Sequence, residues 1–126
     1  MIIKYHKELN KGIWSTYTIV EKLANIGSEV IRALNWKSKN AEISRLAMER
    51  ALELIDITLS EEKGEGALKE LCRLRETLVD FYYYSNTYSS TADSFHRYFL
   101  SFTHAAQMKR FSKEPIPPAH YTPGVK

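Results

Sequence analysis

The sequence predicts an all-α fold: a single-domain, antiparallel up-down four-helix bundle with an extended arm at each end. Three observations support this prediction. Apolar residues recur at steps of three and four through most of the 126-residue chain, which is the period of an amphipathic helix. Glycine and proline are scarce, with five and four copies, and three of the prolines fall in one segment, PIPP. The breaks between the periodic stretches are short, and short connections make consecutive helices antiparallel.

The first two predicted helices lie in the N-terminal half of the chain. The first runs from about Thr16 to Lys37, and its core line is Ile19, Leu23, Ile26, Val30 and Leu34. Gly27 also lies on this line, and it predicts the close approach of a neighbouring helix, because a mid-helix glycine otherwise costs about 1 kcal/mol. Asn40 is a suitable N-cap for the second helix, which continues to about Leu59.

Two polar breaks delimit the other helices. The segment SEEKGEG predicts a turn, and the third helix follows from about Ala67 to Tyr84. The segment SNTYSST then interrupts the periodicity with small polar residues that compete for their own backbone. Ser90 and Asp93 resemble a capping box for the fourth helix, which we expect from about Ala92 to Phe111.

The predicted bundle spans residues 16–111, between an N-terminal arm of residues 1–15 and a proline-rich C-terminal arm of residues 112–126. The segment EPIPPAHYTPG favours an extended arm, because each proline removes a hydrogen-bond donor and restrains the residue before it. Residues 1–15 and 109–126 together carry seven lysines and arginines against two glutamates, whereas the remainder is slightly acidic. Basic termini are compatible with polyanion binding or simply with solubility.

Composition and motifs narrow the class of protein. The single cysteine, Cys72, excludes an internal disulfide, and its apolar neighbours predict an inert place in the core. No apolar run approaches the roughly 20 residues that span a bilayer, and the first residues lack the core of a signal peptide. We therefore expect a cytoplasmic protein without membrane contact. Since no phosphate loop, nucleophile elbow or zinc-binding helix motif occurs, we expect no metal and no cofactor.

Two arginines interrupt the apolar arcs of the middle helices. Arg50 falls among apolar positions of the second helix and Arg75 among those of the third, whereas the solvated face of the second helix is expected to carry Arg45, Glu49, Glu53 and Asp56. A buried arginine needs a carboxylate or several carbonyl acceptors because it stays protonated, and the candidate carboxylates are Glu29, Glu76 and Asp80. Arg50 and Arg75 could form ion pairs that fix helix register, line a cleft for an anion such as phosphate, or meet a second subunit.

The fourth helix carries a second polar feature, opposite its predicted core line of Phe95, Phe99, Phe102 and Ala106. Arg97, Ser101 and His104 form one file along this opposite face, with Arg97 and His104 two turns apart. A histidine that titrates near neutrality can act as an acid or a base, and an arginine can stabilise charge on a phosphate. The file is either a catalytic pair or an ordinary solvent-facing surface.

A small four-helix bundle with Arg-x(4–6)-His on its last long helix resembles the HEPN superfamily (higher eukaryotes and prokaryotes nucleotide-binding domain). The resemblance covers about residues 16–111 and rests on the helix count and on this motif. It implies a homodimer that acts on RNA or nucleotides or accompanies a nucleotidyltransferase. In active members it implies metal-independent RNA cleavage, with Arg97 steadying phosphate charge and His104 moving a proton across the dimer interface.

The chain also supports a different class of function. Tyr98 directly follows Arg97, at a position where active HEPN members favour a small polar or acidic residue or histidine. Tyrosines are concentrated in the segment DFYYYSNTYSS, and tyrosines populate protein interfaces as well as stacking on bases. The alternative is therefore a non-catalytic helical module for interaction or dimerisation.

Overall fold

The computed structural model describes residues 4–6 and 14–113, with side chains described as far as Met108. After a short 3-10 turn, Trp14–Thr16, the chain forms four helices: α1 (Ile19–Trp36), α2 (Ala41–Glu61), α3 (Glu65–Tyr83) and α4 (Ala92–Lys113). No strand occurs in the described part of the chain, so the all-α four-helix prediction is confirmed. None of the helices described is long and apolar enough to cross a membrane.

The predicted arms fall largely outside the described residues. Residues 114–126, which contain the proline-rich segment, are not among them, so the extended C-terminal arm stays a prediction. At the other end, Trp14 was assigned to the N-terminal arm but is buried in the bundle. Its indole Nε1 donates to the hydroxyl of Thr58 at 2.8 Å, and that hydroxyl in turn donates to the carbonyl of Leu54 at 2.7 Å. The core therefore extends into the predicted arm.

Contacts between α1 and α2 show that these two helices run antiparallel. Ser44, near the start of α2, donates to the carbonyl of Ala33, near the end of α1, at 2.7 Å. Further along α2, Arg50 pairs with Glu29, which lies earlier in α1. α1 makes most of its interhelical contacts with α2 and α4, while α3 packs mainly on α2. The bundle is therefore built around α1.

The ends of α1 and α2 are set by side-chain caps. Thr18 and Glu21 form a reciprocal capping box at the start of α1, with hydrogen bonds of 3.2 and 2.8 Å. The carboxamide of Asn40 accepts from the backbone N–H groups of Glu42 and Ile43, both at 3.1 Å. These bonds satisfy donors that have no partner within the helix. The predicted Asn40 cap is confirmed.

The cap of α4 differs from the predicted one. Thr91, not Ser90, precedes the helix, and its hydroxyl accepts from the backbone N–H of Ser94 at 2.9 Å. The hydroxyl of Ser94 accepts from the backbone N–H of Thr91 at 3.0 Å. The predicted pairing of Ser90 with Asp93 is therefore wrong by one residue, because Asn86 engages the backbone of Ser90 instead.

Gly27 marks the closest approach in the core. A β-carbon at this position would lie 2.7 Å from Cδ1 and 2.8 Å from Cβ of Phe99 in α4. Such distances leave no room for a methyl group, so the predicted close approach of a neighbouring helix is confirmed. The core around this contact consists of apolar residues from all four helices and the 3-10 turn, including Ile26, Val30, Met48, Ile55, Leu71, Leu78 and Phe95.

Cys72 does not lie in the core as predicted, but is exposed. The buried residues of α3 are Leu71, Leu74 and Leu78 alone, which form a narrow stripe. At 100° per residue, Cys72 points well away from the centre of this stripe. The prediction failed because Leu68 and Val79, which share the helix face of Cys72, are themselves only half-buried and lie beside the leucine stripe.

Candidate functional site

The candidate site is the outer face of α4, which we define as Arg97, Leu100, Ser101, His104 and Met108. All five side chains are exposed, and Phe95 and Phe99 on the opposite side are buried. The geometry of a helix separates Arg97 from His104 by about 10 Å along the axis. The two side chains therefore lie on one surface but do not meet within one chain.

Arg97 has a partner in its own helix. Its guanidinium pairs with the carboxylate of Asp93 one turn earlier, and the two side chains are 70% and 72% exposed. An exposed ion pair of this kind contributes only a few tenths of a kcal/mol. The guanidinium can therefore exchange Asp93 for another anion at little cost.

Two apolar side chains accompany the polar ones on this face. Leu100 is 63% exposed and Met108 is 55% exposed. They lie one turn before and one turn after His104, so the three side chains form a continuous line along the helix. Exposed large apolar residues grouped on one face are typical of a surface that binds a partner. Both residues lie beside Arg97 and His104 on the helical wheel, but neither was predicted to belong to the site.

Tyr98, next to Arg97 in the sequence, turns away from this face. Its hydroxyl donates to Glu70 of α3. The centre of its ring lies 5.0 Å from the ring centre of Phe99 and 5.2 Å from that of Phe102. Burial, together with the bond to Glu70, raises the pKa of Tyr98 well above its ordinary value. Tyr98 therefore joins α4 to α3.

Arg50 is one of the two arginines predicted to bind an anion. It is half-buried, and its Nε lies 3.4 Å from Oε1 of Glu29, one of the carboxylates predicted to pair with a buried arginine. Its guanidinium carbon also lies 5.8 Å from the ring centre of Tyr5. These contacts connect α2 to α1 and to the N-terminal residues, as expected of an arginine that stabilises the fold.

Arg75 is held differently from the prediction. Its Nε and Nη2 donate to the two carboxylate oxygens of Asp56 at 2.7 and 3.2 Å. These bonds raise the pKa of Arg75 further above its ordinary value, against the opposing effect of burial. The expected pairing of Arg75 with Glu76 or Asp80 is wrong, because Asp56 of α2 reaches across to α3. The anion-binding role of Arg50 and Arg75 stays a prediction.

Residues 4–6 cover a carboxylate that was expected to face solvent. The backbone N–H groups of Lys4, Tyr5 and His6 all donate to Glu53, at 2.9 Å from Tyr5 and 2.7 Å from His6. In addition, Nδ1 of His6 lies 2.7 Å from Oε1 of Glu53, and the Glu53 side chain is only 9% exposed. The hydroxyl of Tyr5 donates to Glu49 at 2.6 Å.

These contacts determine the charge state of Glu53. Burial raises its pKa, but the backbone N–H groups and His6 outweigh burial and hold the pKa below its ordinary value of 4.5. A carboxylate that accepts several hydrogen bonds is stabilised in its charged form. Glu53 therefore fastens the N-terminal residues to α2.

Comparison of the chain with protein-family models, with curated proteins and with solved structures gave no match. Among the described residues, no three histidine, cysteine, aspartate or glutamate side chains converge as a metal site would require. The surface that combines candidate chemistry with exposed apolar residues is the outer face of α4.

Proposed function

We propose that the protein is a HEPN-like homodimer that pairs through the outer face of α4 and acts on RNA, or on nucleotides beside a nucleotidyltransferase. The observation that carries the proposal is the arrangement of this face. Arg97 and His104 are exposed, and the exposed side chains of Leu100 and Met108 lie between and beyond them. Pairing would cover the apolar side chains and close a groove around the polar ones.

Symmetry supports this pairing. Positions 97 and 104 are equidistant from the midpoint between Leu100 and Ser101. A two-fold axis through that midpoint, with the two α4 helices antiparallel, sets Arg97 of one protomer opposite the partner's His104, twice. Packed helices lie about 8–10 Å apart, so both side chains reach the groove between them. Pairing thus brings an arginine and a histidine close together, although the two residues lie about 10 Å apart within one chain.

The chemistry then follows from the two side chains. His104 takes the proton of a ribose 2′-hydroxyl as its oxygen attacks the adjacent phosphorus, and the imidazolium of His104 that results gives a proton to the departing 5′-oxygen as the phosphorus–oxygen bond breaks. Arg97 stabilises the negative charge that grows on the phosphate oxygens. The phosphate displaces Asp93 from the guanidinium at little cost, because the Arg97–Asp93 ion pair is exposed.

The test is RNA cleavage in the presence of a chelator. Single-stranded RNA is incubated with the wild type, Arg97→Ala and His104→Ala, with His96→Ala and Arg73→Ala as matched controls. His96 is on the same helix but not on its outer face, and Arg73 is an exposed arginine of α3. We expect the first two variants to lose about 10²–10⁴-fold in rate and the controls to cleave like the wild type. Equal cleavage by all five proteins, or cleavage by none, would contradict the catalytic part of the proposal.

The second candidate is a non-catalytic interaction module that uses the same face. The inward position of Tyr98 favours it, because Tyr98 occupies the place of a small polar or acidic residue and serves packing instead. A dimer that forms through α4 but leaves RNA intact would support this candidate.

A further inference from the structure

A second surface, separate from the outer face of α4, lies where α3 meets the loop of residues 84–91. Here a groove of about 580 Å³ opens to solvent, bounded by Glu76 and Asp80 of α3 and by Tyr84 and Tyr88 of the loop. Small-molecule sites commonly measure about 300–1,000 Å³. The groove is therefore large enough for a ligand or for one long side chain of a partner.

The loop that bounds the groove is held in a strained conformation. Asn86 and Ser89 have φ angles of 59° and 55°, in the left-handed region, which asparagine adopts readily but serine rarely does. The carboxamide of Asn86 fixes this shape, since it donates to the carbonyl of Ser90 and accepts from its N–H, both at 2.8 Å. Backbone strain of this kind is concentrated at functional sites.

The strained loop presents two tyrosine rings to solvent. Tyr88 is 52% exposed, yet it is held at both ends: its backbone N–H donates to Asp80 at 3.2 Å and its hydroxyl donates to Glu76 at 2.9 Å. Tyr84 is 75% exposed and is attached to α3 by a hydrogen bond from its N–H to the carbonyl of Asp80 at 3.1 Å. The exposed ring of Tyr88 is therefore held in a fixed position, which preorganises it for contact with another molecule.

The charges of the lining restrict what this molecule can be. Glu76 and Asp80 are negative, and the positive charge of Arg75 is matched by its two-bond pair with Asp56. A phosphate group or a nucleic acid would be repelled. A cation would be attracted both by the carboxylates and by the faces of the tyrosine rings.

We propose that this groove binds an organic cation, with a guanidinium group preferred over an ammonium. Guanidinium is planar and weakly hydrated, so it stacks on a tyrosine ring while it donates to a carboxylate. Tyr84 and Tyr88 supply the rings, and Glu76 and Asp80 supply the countercharge. The source is a free guanidino compound or an arginine side chain of another protein.

Calorimetric titration tests the proposal with agmatine and with a short arginine-containing peptide. The matched ligand is the same peptide with citrulline, which keeps the shape of arginine but is neutral. We expect Glu76→Gln and Tyr84→Ala to weaken binding of the charged ligands by about tenfold each. Glu65→Gln, which alters an exposed carboxylate at the other end of α3, should bind like the wild type.

Each outcome bears on the proposal. Tighter binding of the arginine peptide than of agmatine assigns the cation to a partner protein, and equal binding assigns it to a small molecule. Tyr84 is so exposed that its replacement should leave the melting temperature unchanged, which separates lost binding from lost folding. If the wild type fails to bind either charged ligand at millimolar concentration, or binds the citrulline peptide equally well, the groove is not a cation site.

Discussion

The α1–α2 interface and the contacts of α3 with its neighbours differ in how much apolar surface they bury. Against α1, α2 buries a broad apolar surface that includes Ala47, Met48, Ala51 and Ile55. α3 buries only three leucines, and polar links from Arg75 to Asp56 and from Tyr98 to Glu70 supplement them. Most of the exposed large apolar side chains lie on α3, α4 and the loop between them: Tyr83, Tyr84, Tyr88, Leu100 and Met108. The buried apolar side chains therefore come mainly from α1, α2 and the inner side of α4, while most of the exposed ones lie on α3, the outer face of α4 and the loop between them.

Truncation on the two sides of α4 should give the largest contrast. Phe99 is 1% exposed and contacts the backbone of α1 at Gly27, so Phe99→Ala should lower the free energy of unfolding by about 4 kcal/mol through the cavity it leaves. Leu100→Ala, one residue away on the exposed face, should change the unfolding free energy of the single chain by less than about 0.5 kcal/mol, measured at protein concentrations too low for the proposed pairing through α4. Chemical denaturation of both variants measures the difference. Similar losses for the two would mean that Leu100 is not free on the surface.

The buried carboxylate of α2 should give the next largest effect. Glu53→Gln keeps the shape of the side chain but removes the charge that accepts three backbone N–H groups, so we expect a loss of about 2 kcal/mol. Glu42→Gln, at a 64% exposed glutamate of the same helix, is the matched control and should cost little. Denaturation near neutral pH measures both losses.

The Glu53 effect should also depend on pH. Because the pKa of Glu53 in the folded protein lies below its ordinary value of 4.5, its stabilising contribution is complete above that value. The contribution is lost as the pH falls through the lower, folded value. The difference between the wild type and Glu53→Gln should therefore be constant near neutrality and shrink on acidification. A difference that persists unchanged at the most acidic pH where the protein folds would argue against a charged Glu53.

The polar link between α2 and α3 should contribute less. A double-mutant cycle of Asp56→Ala and Arg75→Ala should give a coupling energy of about 0.5–1 kcal/mol, since the two side chains are 35% and 39% exposed and solvent screens their attraction. The more exposed pair of Arg73 and Glu70, at 3.9 Å, should give almost no coupling. Equal coupling energies in the two cycles would show that the Asp56–Arg75 pair stabilises the contact between α2 and α3 no more than an exposed surface pair does.

The features that the sequence predicted well depend on local periodicity. Asn40 precedes an apolar-periodic stretch and caps it, and Gly27 lies on the core line and admits Phe99, because both positions follow from the 3.6-residue repeat. The positions of Arg97 and His104 on the exposed face of α4 follow from the same repeat.

The features that the sequence did not predict depend on contacts between distant residues. Glu53 falls on the polar face of α2, and no local pattern indicates that the backbone of residues 4–6, more than 45 positions away, covers it. Asp56 likewise binds Arg75 across 19 positions, although Arg75 has acidic residues close by in its own helix. Which polar side chains meet between two helices depends on how each helix is rotated and on how far one is shifted along the other. The apolar periodicity of the sequence does not determine either of these.

Leu100→Glu should have the smallest effect on the stability of the single chain and the largest effect on dimer formation. Leu100→Glu places a charge at the proposed two-fold axis, where two copies would face each other, and it should dissociate the dimer. Because Leu100 is 63% exposed in the single chain, the same change should leave the unfolding of the monomer nearly unaltered. Sedimentation velocity over a range of concentrations measures the first expectation, with Trp36→Glu, at a 39% exposed residue of α1, as the control that stays dimeric. A wild type that sediments as a monomer throughout would show that the apolar side chains of α4 do not pair. The rate of RNA cleavage in Leu100→Glu then becomes informative, since a site shared between two copies requires it to fall together with the dimer.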